Sequence, residues 1–224
     1  MKSLLLIAAL PEEADAFRPG EGCIVEGEPM PVRIVETGAI RITIVTCGLG
    51  KVNAALAVGR YANADTLLVA MTGTCGRIGA IEGDCFWIAK AIQHDYGARQ
   101  ADSFIHYRAG DWPMGEARDH GFSAIPDPGL GLPHAAIASG DVFLECPATA
   151  EALAERLGTH LVDMEVAAVA QAAEALGLPW AAIKAVTDGA DGESVGDFSA
   201  NLKRAARKAA EAMERLLVFP VPAP

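Results

Sequence analysis

The chain has 224 residues, enough for one large domain with a sizeable core. Apolar residues make up 51% and charged residues 21%, a balance that suits a soluble α/β protein. The net charge of −11 argues against a nucleic-acid backbone as partner, since no excess of cations is present to release counterions.

The first ten residues, MKSLLLIAAL, superficially match a secretory leader, with Ala14-Asp15-Ala16 in place of a cleavage site. The apolar run is only seven residues long and Pro11-Glu12-Glu13 follows at once, so a buried strand at 4–9 is expected instead. A short helix follows at 12–17, then strands at 32–36 and 40–47, a helix at 51–61 and strands at 66–72 and 85–91. Residues 100–134 break the pattern. They are rich in Gly, Pro and aromatics (Phe104, Tyr107, Trp112, Phe122) and read as an ordered loop over one edge, a length more often functional than idle. Beyond it come a strand at 135–139, a helix at 148–157, a strand at 160–163, a helix at 165–176, a strand at 180–187 and a last helix at 199–217. Gly177 and Pro179 stop the helix at 165–176, whose alanines predict close packing on the sheet. The last helix carries Lys203, Arg204, Arg207 and Lys208 opposite Leu202, Ala206, Met213 and Leu217, which reads as a solvated face. Continuous apolar runs separated by helices predict a sheet covered on both faces in a single domain, 1–224.

Five cysteines (23, 47, 75, 85 and 146) form no CxxC pair, so reduced thiols in a cytoplasmic protein are expected. No apolar stretch approaches the roughly 20 residues needed to span a bilayer, and no membrane partner is expected. His94-Asp95 and His106 lack metal-ligand spacing and there is no HExxH, so neither a metal nor a cofactor is expected.

Residues 161–191, LVDMEVAAVAQAAEALGLPWAAIKAVTDGAD, read as strand, helix, strand, with Glu165 just past the first strand and Asp188 just past the second. A helical crossover predicts neighbouring parallel strands whose carboxyl ends share one edge, where α/β sheets bind small ligands. Four other strands also run into polar or glycine residues: Pro11-Glu12-Glu13, Gly48-Leu49-Gly50-Lys51, Gly73-Thr74-Cys75-Gly76 and Gly140-Asp141-Val142-Phe143. Each has a plain structural reading beside the functional one. Glu12 and Glu13 suit the first turn of a helix. Gly48 and Gly50 suit a tight turn. They form no dinucleotide fingerprint, because Asn53 takes the third glycine position, and no P-loop, because Val52 follows Lys51. Gly73 to Gly76 is either a turn or a set of amides for an anion or sugar hydroxyl. Ser139-Gly140-Asp141 is not a nucleophile elbow, and Cys75 has no evident base nearby. Acid–base chemistry by carboxylates is the strong remaining option.

In this order the segments resemble the nucleoside phosphorylase/nucleosidase superfamily, above all its 5′-methylthioadenosine/S-adenosylhomocysteine nucleosidase branch. The resemblance rests on ALPEEAD (9–15), CGLGKVNAA (47–55), MTGTCG (71–76), EGD (82–84), SGDVF (139–143), VDMEVAAVA (162–170) and KAVTDGAD (184–191). It implies a three-layer α/β/α sandwich with a central mixed, mostly parallel sheet, and a homodimer acting on a small-molecule nucleoside. By the same resemblance Glu13 would activate the attacking water and Asp188 would supply the proton at purine N7. Glu165 would accept from the ribose 2′- and 3′-hydroxyls, with Met164 against the sugar and Thr74 near it. Phe143 would stack on the base and the Leu144 backbone would read its edge. The implied activity is hydrolysis of a 5′-modified adenosine to adenine and a ribose derivative. The rivals are a phosphorylase, a nucleosidase for another nucleoside and a non-catalytic nucleoside-binding protein. Phosphorylases of the superfamily hold phosphate with arginines where this chain has Pro11-Glu12-Glu13 and Met71, leaving Arg77 and Arg99 as substitutes. Lys184 stands where arginine is common.

Overall fold

In chain order the elements of the computed structural model are β1 (Lys2–Ala8), α1 (Pro11–Ala16), β2 (Cys23–Val25), β3 (Val32–Thr37), β4 (Ile40–Thr46), α2 (Lys51–Tyr61), β5 (Thr66–Arg77), β6 (Cys85–Gln93), β7 (Gly97–Arg99), β8 (Phe104–His106), β9 (Gly121–Ser123), β10 (His134–Ser139), α3 (Pro147–Leu157), β11 (Leu161–Asp163), α4 (Val166–Ala175), β12 (Trp180–Asp188) and α5 (Ser194–Leu216). The structure describes residues 1–38, 40–116 and 120–216; Leu217, expected at the end of the last helix, lies outside them.

β1 shows why the chain forms layers. Its side chains alternate between the two faces of the sheet and are apolar on both. Leu4, Leu6 and Ala8 pack with Ala205, Ala209 and Met213 of α5, while Leu5 and Ile7 pack with Ala54 and Val58 of α2 and Val166 and Val169 of α4. α1 lies on the α5 side, where Ala14 and Phe17 join the same core. The result is the expected α/β/α sandwich around a mixed sheet.

The strand order is β11-β10-β6-β12-β5-β1-β4-β3-β2, with β9 on β6 and a second pairing between β11 and β5. β1, β4, β5 and β12 run parallel, whereas β6 is antiparallel to β12, and β10 and β11 follow β6. The sequence expectation that the crossover through α4 joins neighbouring parallel strands is therefore corrected. β11 and β12 are not neighbours: β5 lies between them, parallel to β12 and antiparallel to β11.

The site forms despite this because β5 is long. Gly73 to Gly76, expected beyond a strand ending at 72, continue β5 alongside β12, from Lys184 opposite Gly73 to Asp188 opposite Gly76, with a one-residue bulge in β12 at Thr187. β1 pairs with the other edge of β5 only as far as Met71, and β11 approaches that edge from the opposite direction, reaching Arg77 and Gly76. Two strands thus meet end to end along β5 and leave a gap opposite residues 72–75. Segment 100–134, expected as a loop, contains β8, which pairs with β7 just before it, and β9.

Candidate active site

A cleft partly open to solvent sits at this gap. Its wall includes all seven side chains singled out from sequence: Glu13, Thr74, Phe143, Leu144, Met164, Glu165 and Asp188. The aromatics of the 100–134 segment, Phe104, Tyr107, Trp112 and Phe122, do not line it.

Glu13 occupies the gap itself. Its Oε1 accepts from the Thr74 amide and hydroxyl, both at 2.8 Å, so the carboxylate takes the place of a missing strand neighbour. Its Oε2 accepts from the Ala9 and Leu10 amides at 3.0 and 3.1 Å, which caps the start of its own helix. The structural and functional readings of this acid coexist. Gly73 is needed for the fit, because a Cβ there would lie 2.7 Å from Glu13 Oε1. The far end of α1 is tied down by Arg33, whose guanidinium donates to the carbonyls of Ala14, Phe17, Arg18 and Glu21.

Glu165 is the N-cap residue of α4, two residues past β11, and is 3% exposed. Gly50, at the N-cap of α2, donates its amide to Oε1 at 2.9 Å. Burial pushes this carboxyl up to about 7 against the pull of Lys184, with Asp163 and Glu13 adding to the rise. The Lys184 ammonium is 2.9 Å from Asp163 Oδ2 but 3.9 Å from Glu165 Oε2. Asp163 takes the close contact, and the weaker attraction left for Glu165 does not offset its desolvation. Lys184 stays above its ordinary value: burial works to lower it, and Asp163, Glu165 and Glu13 together outweigh burial.

Asp188 closes β12. Its Oδ2 accepts from the Thr187 hydroxyl at 2.8 Å and its Oδ1 from the Ala190 amide at 3.0 Å. Ala190 reaches that position with φ +52, a left-handed conformation that costs a non-glycine residue roughly 1–2 kcal/mol. Phe143, 42% exposed, meets Phe198 edge to face with ring centroids 6.0 Å apart, and both rings line the cleft. The loop bearing Phe143 is fastened to α2, since Asp141 Oδ1 accepts from the Lys51 amide at 2.8 Å. Cys75 also lines the cleft, but burial holds its thiol far above the ordinary range, which removes it as a nucleophile.

Sequence reasoning missed Asp163, Phe198 and Leu49 in the wall and Lys184 beneath it. Lys184 had a signal, since a cation within the apolar run of β12 requires a buried counter-charge. Phe198 had none, as the last helix was expected to begin after it and actually begins at Ser194. Neither arginine considered for phosphate is in the wall. Arg77 donates to the carbonyls of Ile81 and Gly83, and Arg99 stacks over Phe104 at 4.9 Å. Among the described residues, the wall contains four carboxylates and no lysine or arginine.

In sequence, the chain is 26% identical to a 5′-methylthioadenosine/S-adenosylhomocysteine nucleosidase of Mycobacterium bovis, over 95% of each chain. It is 30% identical to a futalosine hydrolase of Thermus thermophilus, over 88% of this chain and 91% of that one. Its fold superposes on a Helicobacter pylori 5′-methylthioadenosine nucleosidase mutant solved with 5′-methylthioadenosine in the active site. The TM-score is 0.81 at 19% identity, covering 97% of this chain and 99% of that one. The model of the phosphorylase superfamily matches residues 3–218, and the chain belongs to that superfamily.

Proposed function

We propose that this single-domain enzyme hydrolyses the N-glycosidic bond of a 5′-modified adenosine, 5′-methylthioadenosine or S-adenosylhomocysteine, releasing adenine and a ribose derivative. The observation that carries the reading is the convergence of Glu13, Glu165 and Asp188 on one cleft whose wall, among the described residues, has aromatic rings and no lysine or arginine. Cleavage of the bond builds positive charge on the sugar and negative charge on the leaving base. Carboxylates facing the sugar stabilise the first, and an acid at the base neutralises the second. Asp188 supplies the proton at purine N7, so the base departs neutral. Glu13 orients water and takes its proton as the oxygen attacks the anomeric carbon. Glu165 accepts from the ribose 2′- and 3′-hydroxyls, Met164 and Thr74 border the sugar, and Phe143 stacks on the base while the Leu144 backbone meets its edge. Water is the nucleophile because phosphate entering beside Glu13 would meet like charge with no arginine fork to hold it.

A second reading follows from the Thermus thermophilus relative, a futalosine hydrolase, which makes futalosine the alternative substrate. The discriminating assay follows base release from 5′-methylthioadenosine, S-adenosylhomocysteine and futalosine side by side. Fastest release of adenine from either of the first two supports the proposal, and turnover of futalosine alone overturns it in favour of the second reading. Binding of all three without turnover would mark a sensor that kept the fold.

The active form in this reading is a cytoplasmic homodimer. Val52 and Leu56, each more than half exposed, lie one turn apart on α2, and Leu49, also more than half exposed, precedes the helix. All five thiols are free, which suits a reducing compartment, and no described helix is long and apolar enough to cross a membrane.

A further inference from the structure

Beneath the sugar-facing side of the cleft runs a buried chain of polar groups that the reaction described above does not use. The Ser139 hydroxyl accepts from the Ala167 amide at 3.0 Å and donates to Asp163 Oδ1 at 2.5 Å. Asp163 Oδ2 accepts from the Val166 amide at 3.1 Å and from Lys184 Nζ at 2.9 Å, and Lys184 reaches on to Glu165 Oε2 at 3.9 Å. Lys184 is 1% exposed. It extends from β12 between two carboxylates contributed by the β11–α4 junction. Besides the ammonium, Asp163 has two neutral donors, the Ser139 hydroxyl and the Val166 amide. Glu165 has only the Gly50 amide and the distant ammonium.

We propose that Lys184 is the positioning residue of the sugar subsite: its ammonium holds the Glu165 carboxylate charged and aimed for the ribose hydroxyls. Lys184 does not touch substrate. A carboxylate accepts from two hydroxyls, whereas a protonated carboxyl offers a competing donor, so sugar affinity depends on the charge that Lys184 supports. The charged and titratable groups facing Glu165 are Lys184 from β12, Asp163 from β11, Glu13 from α1 and the Cys47 thiol just past β4. Burial pushes Cys47 up to about 12, so it stays neutral. Asp163 and Glu13 both oppose ionisation of Glu165, which leaves Lys184 as the cation that favours it.

The inference rests on the nucleosidase reading for the identity of the sugar. The test compares two constants in the wild type and in Lys184→Met: KM for 5′-methylthioadenosine between pH 6 and 9, and the competitive inhibition constant of its 2′,3′-dideoxy analogue. Loss of the ammonium shifts Glu165 upward by about one pH unit or more, so KM near neutrality rises about tenfold with kcat little changed. The defect shrinks at pH 9, and the constant for the dideoxy analogue, which has no hydroxyls to lose, stays within about twofold. Lys184→Arg keeps the charge and restores KM. Lys184→Gln keeps a donor for Asp163 but loses the charge; it carries the same expectation as methionine and replaces it if that variant does not fold. Equal movement of both constants, or an unchanged KM, overturns the inference. A wild type that hydrolyses no 5′-modified adenosine overturns the nucleosidase reading and this inference with it, whereas normal wild-type turnover with indifferent Lys184 variants overturns the inference alone.

Discussion

Asp188 and Glu165 are both buried carboxyls, yet their surroundings differ in kind. Asp188 receives one hydroxyl and one amide at the end of β12, while Glu165 receives one amide and shares a lysine with Asp163. Asp188→Asn keeps the size and loses the proton; it should lower kcat by about 10²–10⁴-fold with an unchanged circular dichroism spectrum. Near-normal turnover would remove Asp188 as the acid. Glu165 carries a stability consequence of the opposite sign from an ordinary ion-paired acid. Its folded-state value is raised to about 7 by burial, so folding takes up a proton between the unfolded value and about 7. Its favourable contribution is complete at acid pH and is lost as the pH rises through about 7. Glu165→Gln removes this titration. Thermal melts at pH 5 and pH 8 should therefore show the variant gaining on the wild type as the pH rises, while its KM for substrate worsens. A stability difference independent of pH would contradict the assigned burial effect.

Among the elements, β5 decides where the site lies. Pairing with β12 keeps residues 73–76 extended, and the other edge is left open between the ends of β1 and β11 for the Glu13 carboxylate. Gly73→Ala places a methyl group against that carboxylate and should displace it. A fall in kcat of about 10²-fold is expected, with a loss of stability near 1 kcal/mol, measured by turnover and chemical denaturation. Intact turnover would show that Glu13 need not sit in the gap. The apolar runs that became β1, β4 and β12 were legible because strands buried on both faces need no polar alternation. The extension of β5 was not, since glycines after an apolar run read as a turn until a neighbouring strand holds them. Strand direction was equally hidden: no local pattern marks β6 as antiparallel to β12, and β2, β7, β8 and β9 are three residues each, too short for a periodic signal.

On the scale of the whole molecule, the chain brings together residues from α1, β5, the β10–α3 loop, the β11–α4 junction and the end of β12. Glu13, Glu165 and Asp188 were legible in the sequence because each follows an apolar strand within a motif. The lysine beneath them is marked in the sequence only as a cation within an apolar run, its partners depending on long-range packing, and the ring of Phe198 has no local mark at all. Leu49 lines the cleft and, like Val52 and Leu56 of α2, is more than half exposed. In the proposed homodimer, association through that part of α2 would place a second chain beside the cleft mouth. Leu56→Arg should yield a monomer in sedimentation velocity and lower kcat/KM; a dimer that persists would remove this face as the interface.

The most direct test of the central claim is the dependence of glycosidic cleavage on phosphate. Purified enzyme with 5′-methylthioadenosine in phosphate-free buffer should release adenine and 5-methylthioribose at a rate that added phosphate leaves unchanged. Release that requires phosphate, with a ribose 1-phosphate as product, would contradict it.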